Sequence, residues 1–162
     1  MIRLDNARPA RLLLVDDEDT DVKLTRATLD AARIVLDLQD VRSGEAALAA
    51  MRAGGPFKTA AGEARLPDLV LLDVKMPGMN GIETLHALKN EASLRHVPVI
   101  MLSSSTHDED ILRSYAEQAY AYLTKPIHVD SFRAIMRRLE DFYFMLAIVP
   151  SGGVVAERNP RV

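Results

Sequence analysis

Leu69-Val70-Leu71-Leu72-Asp73 runs directly into Val74-Lys75-Met76-Pro77-Gly78-Met79-Asn80-Gly81: four aliphatic residues, an acid, then a turn with one proline and two glycines. A short unbroken apolar run closed by turn residues reads as a strand buried on both faces of a parallel sheet. The same pattern recurs three times. Leu12-Leu13-Leu14-Val15 ends in Asp16-Asp17, and Val97-Pro98-Val99-Ile100-Met101-Leu102 ends in Ser103. Ala119-Tyr120-Ala121-Tyr122-Leu123-Thr124 ends in Lys125-Pro126. Ligands of open α/β sheets sit outside the carboxyl ends of such strands. The pattern therefore predicts three carboxylates, a hydroxyl and an ammonium at one edge, the makings of a metal and phosphoryl site.

Working outward, the chain divides into five β/α units. Strands are expected over 12–15, 34–41, 69–72, 97–102 and 120–123. Helices are expected from Asp19 or Thr20, either of which can cap, to about Ala31; over 45–52 behind Ser43; over 82–90; and near 108–117. The clearest helix is the last, where Val129, Phe132, Ile135, Met136, Leu139, Tyr143 and Leu146 recur at three- and four-residue steps. Asp130 or Ser131 suits its start. Residues 53–67, with Gly54-Gly55-Pro56, Gly62 and Pro67, read as one long loop. Residues 9–149 are expected to form one folded unit and 150–162 a mobile tail, with no effector domain. Alternating elements with short connections predict a doubly wound α/β sheet with right-handed crossovers.

The totals narrow the function. The 162 residues suffice for one ordinary domain. A net charge of −3, with Lys and Arg spread over helix faces, argues against a nucleic-acid surface. The absence of cysteine excludes disulfides, thiolate nucleophiles and Cys-type zinc sites. No run approaches the roughly 18 apolar residues of a membrane span, and nothing near the N-terminus resembles a signal peptide. A cytoplasmic location is the expectation. His86, His96, His107 and His128 share no ligand-like spacing and none reads as a phosphohistidine.

Each candidate residue has a plain reading and a chemical one. Asp16 and Asp17 repel each other and are held together most cheaply by a cation; Mg²⁺ favours such oxygen ligands. Taken alone, the acidic run from Asp16 to Asp21 equally serves a helix N-terminus. A third acid, Asp73, at a neighbouring strand end tips the balance to metal. Asp73 is also the candidate nucleophile, because a carboxylate can attack a phosphoryl group once a metal offsets their repulsion. Pro77, Gly78 and Gly81 then shape the turn that presents backbone to the site. Ser103 can donate to a phosphoryl oxygen, though serine-rich loops are common. Lys125 can offer a point charge to phosphate, and Pro126 fits a tight turn able to hold a cis bond. Tyr122, on the same strand face as Thr124, reads as packing.

In this order the four pieces resemble the receiver domain of two-component response regulators, over roughly residues 11–143. The resemblance implies a five-stranded flavodoxin-like sheet of order 2-1-3-4-5. It also implies transfer of a phosphoryl group from a sensor histidine kinase to Asp73. Asp16, Asp17, Asp73 and the backbone carbonyl of Lys75 would hold Mg²⁺, and Ser103 and Lys125 would bind the phosphoryl group. Tyr122 would swing inward and repack the face made by the fourth helix, fifth strand and fifth helix. Such a protein is a phosphoacceptor that assists its own phosphorylation and dephosphorylation, not an enzyme acting on a separate substrate.

A narrower resemblance, to stand-alone receivers paired with bacteriophytochrome kinases, rests on Asp110-Ile111-Leu112-Arg113-Ser114-Tyr115, on Tyr122 to Pro126 and on Glu140-Asp141-Phe142-Tyr143-Phe144. It implies a phytochrome partner, with onward transfer to a histidine phosphotransfer protein left open. It also implies a homodimer, through the last helix and its apolar extension (Phe144, Met145, Leu146, Ile148, Val149) or through the switching face. Two positions depart from the common pattern: Lys75 and Ser105, each two residues beyond a site residue, lie where this family tunes phosphoryl lifetime. Haloacid-dehalogenase chemistry also forms an aspartyl phosphate, but it wants an acid where Lys75 stands and a cap domain. A binding module that has lost its switch is the third reading.

Overall fold

The computed structural model describes residues 9–104 and 118–143. Elements follow in the order β1 (Ala10–Val15), α1 (Asp19–Ala31), β2 (Leu36–Val41), α2 (Gly44–Arg52), β3 (Phe57–Lys58), β4 (Ala64–Arg65), β5 (Leu69–Asp73), α3 (Gly81–Lys89), β6 (Val99–Ser103), β7 (Ala121–Thr124) and α4 (Val129–Tyr143). The expected fourth helix, Ser105, His107, the residues past 143 and the tail lie outside the described residues.

Five strands form one parallel sheet in the order β2-β1-β5-β6-β7. Counted by β/α unit this is 2-1-3-4-5, the expected topology. Period-two alternation sends neighbouring residues to opposite faces, and here both faces are covered. Leu12 and Leu14 join a core with Val22 and Leu29 of α1 and Phe132, Ile135 and Met136 of α4. Leu13 and Val15 join a second core with Leu48 and Met51 of α2 and Leu85 and Leu88 of α3. Double burial explains why β1, β5 and β6 read as continuous apolar runs. β2 lies at the sheet edge, is only partly buried, and carries Asp37 and Asp40, charges that discourage pairing with another edge.

Several boundaries differ from the sequence reading. β2 starts at Leu36, with Ile34 making a separate bridge. Residues 53–67 are not pure loop: Phe57–Lys58 and Ala64–Arg65 pair as an antiparallel hairpin, and buried Phe57 anchors it in the second core. Neither Asp19 nor Thr20 caps α1. Glu18 is the N-cap residue without a side-chain cap, and its own N–H donates to Asp16 Oδ1 at 3.0 Å. α4 begins at Val129, ahead of Asp130 and Ser131. Ser43 does cap α2, its Oγ accepting from the Ala46 N–H at 3.0 Å. Among the described residues no helix is long and apolar enough to cross a membrane.

The β5–α3 turn is held tightly. Asn80 and Glu83 form a capping box at the start of α3. Gly78 has φ +72°, open to glycine at little cost. Gly81 donates its N–H to the Val74 carbonyl at 2.8 Å. A Cβ on Gly81 would meet the Asp73 carbonyl oxygen at 2.0 Å. Gly81→Ala is therefore expected to cost about 1–3 kcal/mol, the usual range for overpacking, and to lower Tm by several degrees. A melting curve identical to wild type would show that the turn has room to spare.

Candidate functional site

Register sets the site. Val15 lies beside Leu72, Leu72 beside Met101, and Leu102 beside Leu123. The residues just beyond, Asp16, Asp73, Ser103 and Lys125, therefore reach one edge within a step of each other. Backbone bonds tie the exits: Asp16 N–H to the Val41 carbonyl at 3.1 Å, Val74 N–H to the Leu102 carbonyl at 2.8 Å, and Lys125 N–H to the Ser103 carbonyl at 2.8 Å.

Asp16, Asp17 and Asp73 each offer a carboxylate oxygen within 4.8 Å of the other two. Asp16 has no exposed surface, and Asp73 and Ser103 are 5 % exposed. Of the three, Asp16 and Asp73 are buried and Asp17 is half-buried, so water screens the repulsion between the first two little. The described counter-charge is Lys125. Its Nζ lies 2.7 Å from Asp16 Oδ2, 3.0 Å from Asp21 Oδ2 and 3.3 Å from Asp73 Oδ1. A donor set of three carboxylates suits a hard divalent cation that takes oxygen ligands.

The electrostatics follow from burial. Desolvation pushes the Asp73 carboxyl up to about 6; the Asp16 and Asp17 charges add to this, and Lys125 opposes it. Burial alone would lower Lys125. Its hydrogen bonds to Asp16 and Asp21, with the charges of Asp73 and Asp16, outweigh burial and hold the ammonium above the usual lysine range. Lys125 is thus a permanent cation at neutral pH, while Asp73 is an acid with an unusually proton-prone carboxyl.

The other predicted residues lie on the turns and strand that adjoin this edge. Lys125-Pro126 is a cis peptide bond. Pro77 and Gly78 are exposed in the turn and Gly81 is buried at its close. Lys75 is exposed directly after β5 and Val74. Tyr122, opposite Met101 on β7, is half-buried against the second core. Two residues, Asp21 and Glu45, escaped the sequence reading as individuals, as did a second bond made by Asp16. Asp21, one turn into α1, shares Lys125. Asp16 ties its own side chain to the Glu18 amide. Glu45 of α2 accepts from the Met79 N–H at 3.2 Å, steadying the turn after Asp73. The acidic run 16–21 marked Asp21 only as one of several acids near a helix start.

The sequence matches the family described as the response regulator receiver domain over residues 12–137. The response regulator Rcp1 of Synechocystis sp. is 28% identical over 148 residues, covering 91% of this chain and 98% of that protein. Rcp1 has also been solved in a Mn²⁺-bound form, with TM-score 0.62 to this chain, 27% identity, and 92% and 100% of the two chains covered. The bacteriophytochrome response regulator RtBRR is 33% identical with TM-score 0.71, covering 90% of this chain and 87% of its own. The phosphorylated cyanobacterial phytochrome response regulator RcpA is 28% identical with TM-score 0.65, covering 93% and 100%.

The raised carboxyl carries a stability consequence. An acid whose folded-state value lies above its unfolded value favours the fold only when protonated. At neutral pH the ionised Asp73 therefore opposes folding, and the opposition fades as pH falls from about 6 toward 3.8. In metal-free buffer at pH 7.5, Asp73→Asn is expected to stabilise the protein by on the order of 1–3 kcal/mol, with the gain shrinking across that window. Thermal melts with a chelator present, repeated at several pH values, check this; a destabilised variant at pH 7.5 would contradict it.

Proposed function

This chain belongs to the response regulator receiver family, and from that premise we propose that it accepts a phosphoryl group on Asp73 from a sensor histidine kinase. The observation that carries the reading is one buried ammonium, Lys125, within 3.3 Å of carboxylates from β1, α1 and β5. Two of these acids, Asp16 and Asp73, are held where water screens them little, an arrangement costly to a fold with no use for it.

In the proposed reaction a carboxylate oxygen of Asp73 attacks the phosphorus of a phosphohistidine. A new O–P bond forms as the P–N bond breaks, and the imidazole leaves with the bonding pair. Asp16, Asp17 and Asp73, with the Lys75 carbonyl, would hold Mg²⁺, which offsets repulsion between the attacking carboxylate and the anionic phosphoryl group. Lys125 supplies a fixed positive charge to a phosphoryl oxygen, and the Ser103 hydroxyl donates to another. The turn through Pro77, Gly78 and Gly81 holds the backbone beside Asp73. On the same reading Ser103 draws its loop inward on phosphorylation, and Tyr122 repacks the face at the β7 edge of the sheet. That change is a shift between two populated surfaces. Either that face or the last helix serves a homodimer.

The kinase is proposed to be a bacteriophytochrome, because two similar proteins that match most of this chain are named bacteriophytochrome response regulators. A cytoplasmic location suits such a partner, and a histidine phosphotransfer protein is a second acceptor for the same group. Acid at the position of Lys75, which a dehalogenase-type phosphatase needs, is absent, which disfavours that alternative.

Incubation with a small-molecule phosphodonor and Mg²⁺ is expected to add the mass of one phosphoryl group, and Asp73→Asn or a chelator is expected to abolish the gain. Lys125→Ala is expected to keep most labelling while losing the accompanying spectral change. Unlabelled wild type under these conditions, and no response to beryllium fluoride, would leave a phosphate-independent binding module instead. Lys75 cannot accept a hydrogen bond from an attacking water. Lys75→Asn is therefore expected to change the phosphoryl lifetime several-fold; equal decay of the two phosphorylated proteins would discount that role.

A further inference from the structure

Lys125 has three ammonium hydrogens, and three carboxylates surround them. Two of these, Asp16 and Asp73, belong to the metal-ready cluster. The third, Asp21, does not: it stands in the first turn of α1, and its Oδ2 is 3.0 Å from Lys125 Nζ. We propose that Asp21 is a positioning residue that competes with the bound phosphoryl group for Lys125, so that phosphorylation loosens the tie between β7 and the start of α1. This deepens the phosphoacceptor reading and rests on it.

A phosphoryl group on Asp73 would bring new acceptor oxygens and about −1.5 to −2 of charge beside Lys125. The ammonium cannot serve every oxygen, so one existing partner gives way. Burial decides which. The Asp16 side chain is 0% exposed and Asp73 7%, so neither can be rehydrated. The Asp21 side chain is 38% exposed. A cavity of about 250 Å³ lined by Asp21, Leu24, Thr25 and Lys125 opens beside the pair. Water can replace the ammonium at Asp21 with little penalty, whereas an ion stranded at Asp16 would carry the full expense of a dry charge. Asp21 also shares no oxygen with the metal cluster, so a cation bound there leaves its hold on Lys125 intact until the phosphoryl group arrives. The first turn of α1 thereby senses the state of Asp73 without touching it.

The neighbouring Asp19 provides a matched control. It lies in the same first turn but pairs with Arg42 at 2.7 Å and is 74% exposed. Asp19→Asn and Asp21→Asn remove the same charge, and only the second weakens a contact to Lys125. The experiment measures Mg²⁺ affinity alone, then beryllium fluoride affinity at saturating Mg²⁺, for wild type and both variants. The ¹⁵N signal of the Lys125 ammonium is followed in the same samples.

Asp21→Asn is expected to bind beryllium fluoride about two- to fivefold more tightly than Asp19→Asn, the scale of a partly exposed ion pair. Mg²⁺ affinity should match between the two variants, and Asp21→Glu should return the fluoride affinity toward wild type. The Lys125 signal should differ between wild type and Asp21→Asn before ligand is added and converge after it. Equal fluoride affinities in Asp21→Asn and Asp19→Asn, with wild type binding normally, overturn this inference alone. A wild type that binds no beryllium fluoride overturns the phosphoacceptor reading and this inference with it.

Discussion

Like charges forced together in a dry place are the constraint on which this molecule turns. Asp16, Asp17 and Asp73 crowd within 4.8 Å at the carboxyl edge of the sheet, and one ammonium, brought in from the exit of β7, pairs with Asp16 and Asp73. The Lys125–Asp16 contact joins residues 109 positions apart, so it exists only if the whole sheet is in register. The raised Asp73 carboxyl records how incompletely one lysine balances three acids.

Imbalance of this kind is useful. A site fully satisfied by its own side chains would have no reason to take up a cation or an anionic group. Here the shortfall of positive charge favours a divalent cation, and the resident lysine is poised to engage whatever negative charge arrives at Asp73. The flanking scaffold is correspondingly rigid. The strands that carry the acids are buried on both faces, and the turn after Asp73 is fixed by a capping box, by Glu45 and by a glycine with no space for a methyl group. Stability is spent at the edge and recovered in the two cores.

The strand reading succeeded where one signal dominated. β1, β5 and β6 are apolar throughout because both faces are covered, and an acid or hydroxyl that ends such a run has only the sheet edge to occupy. Ser43 was legible as a cap for the same local reason. The errors came where tertiary contacts compete with local rules. α1 starts at Asp19 as expected, but Asp19 and Thr20 only looked like its caps: the N-cap position falls on Glu18, whose amide is taken by Asp16. Residues 53–67 looked like loop because glycine and proline are abundant, yet buried Phe57 pins a short hairpin against the second core. No periodicity announces a two-residue strand.

Read without coordinates, the chain determined its alternation of elements, its parallel sheet, and the list of residues delivered to one edge, because burial and period are local properties of a sequence. Which of those residues actually meet was decided by the folded structure. Asp21 is the telling case: in the sequence it is one acid among several near a helix start, and in the fold it is a third partner of Lys125. Hydrogen bonds between side chains distant in the chain depend on strand register and helix rotation together, and no pattern along a chain encodes both.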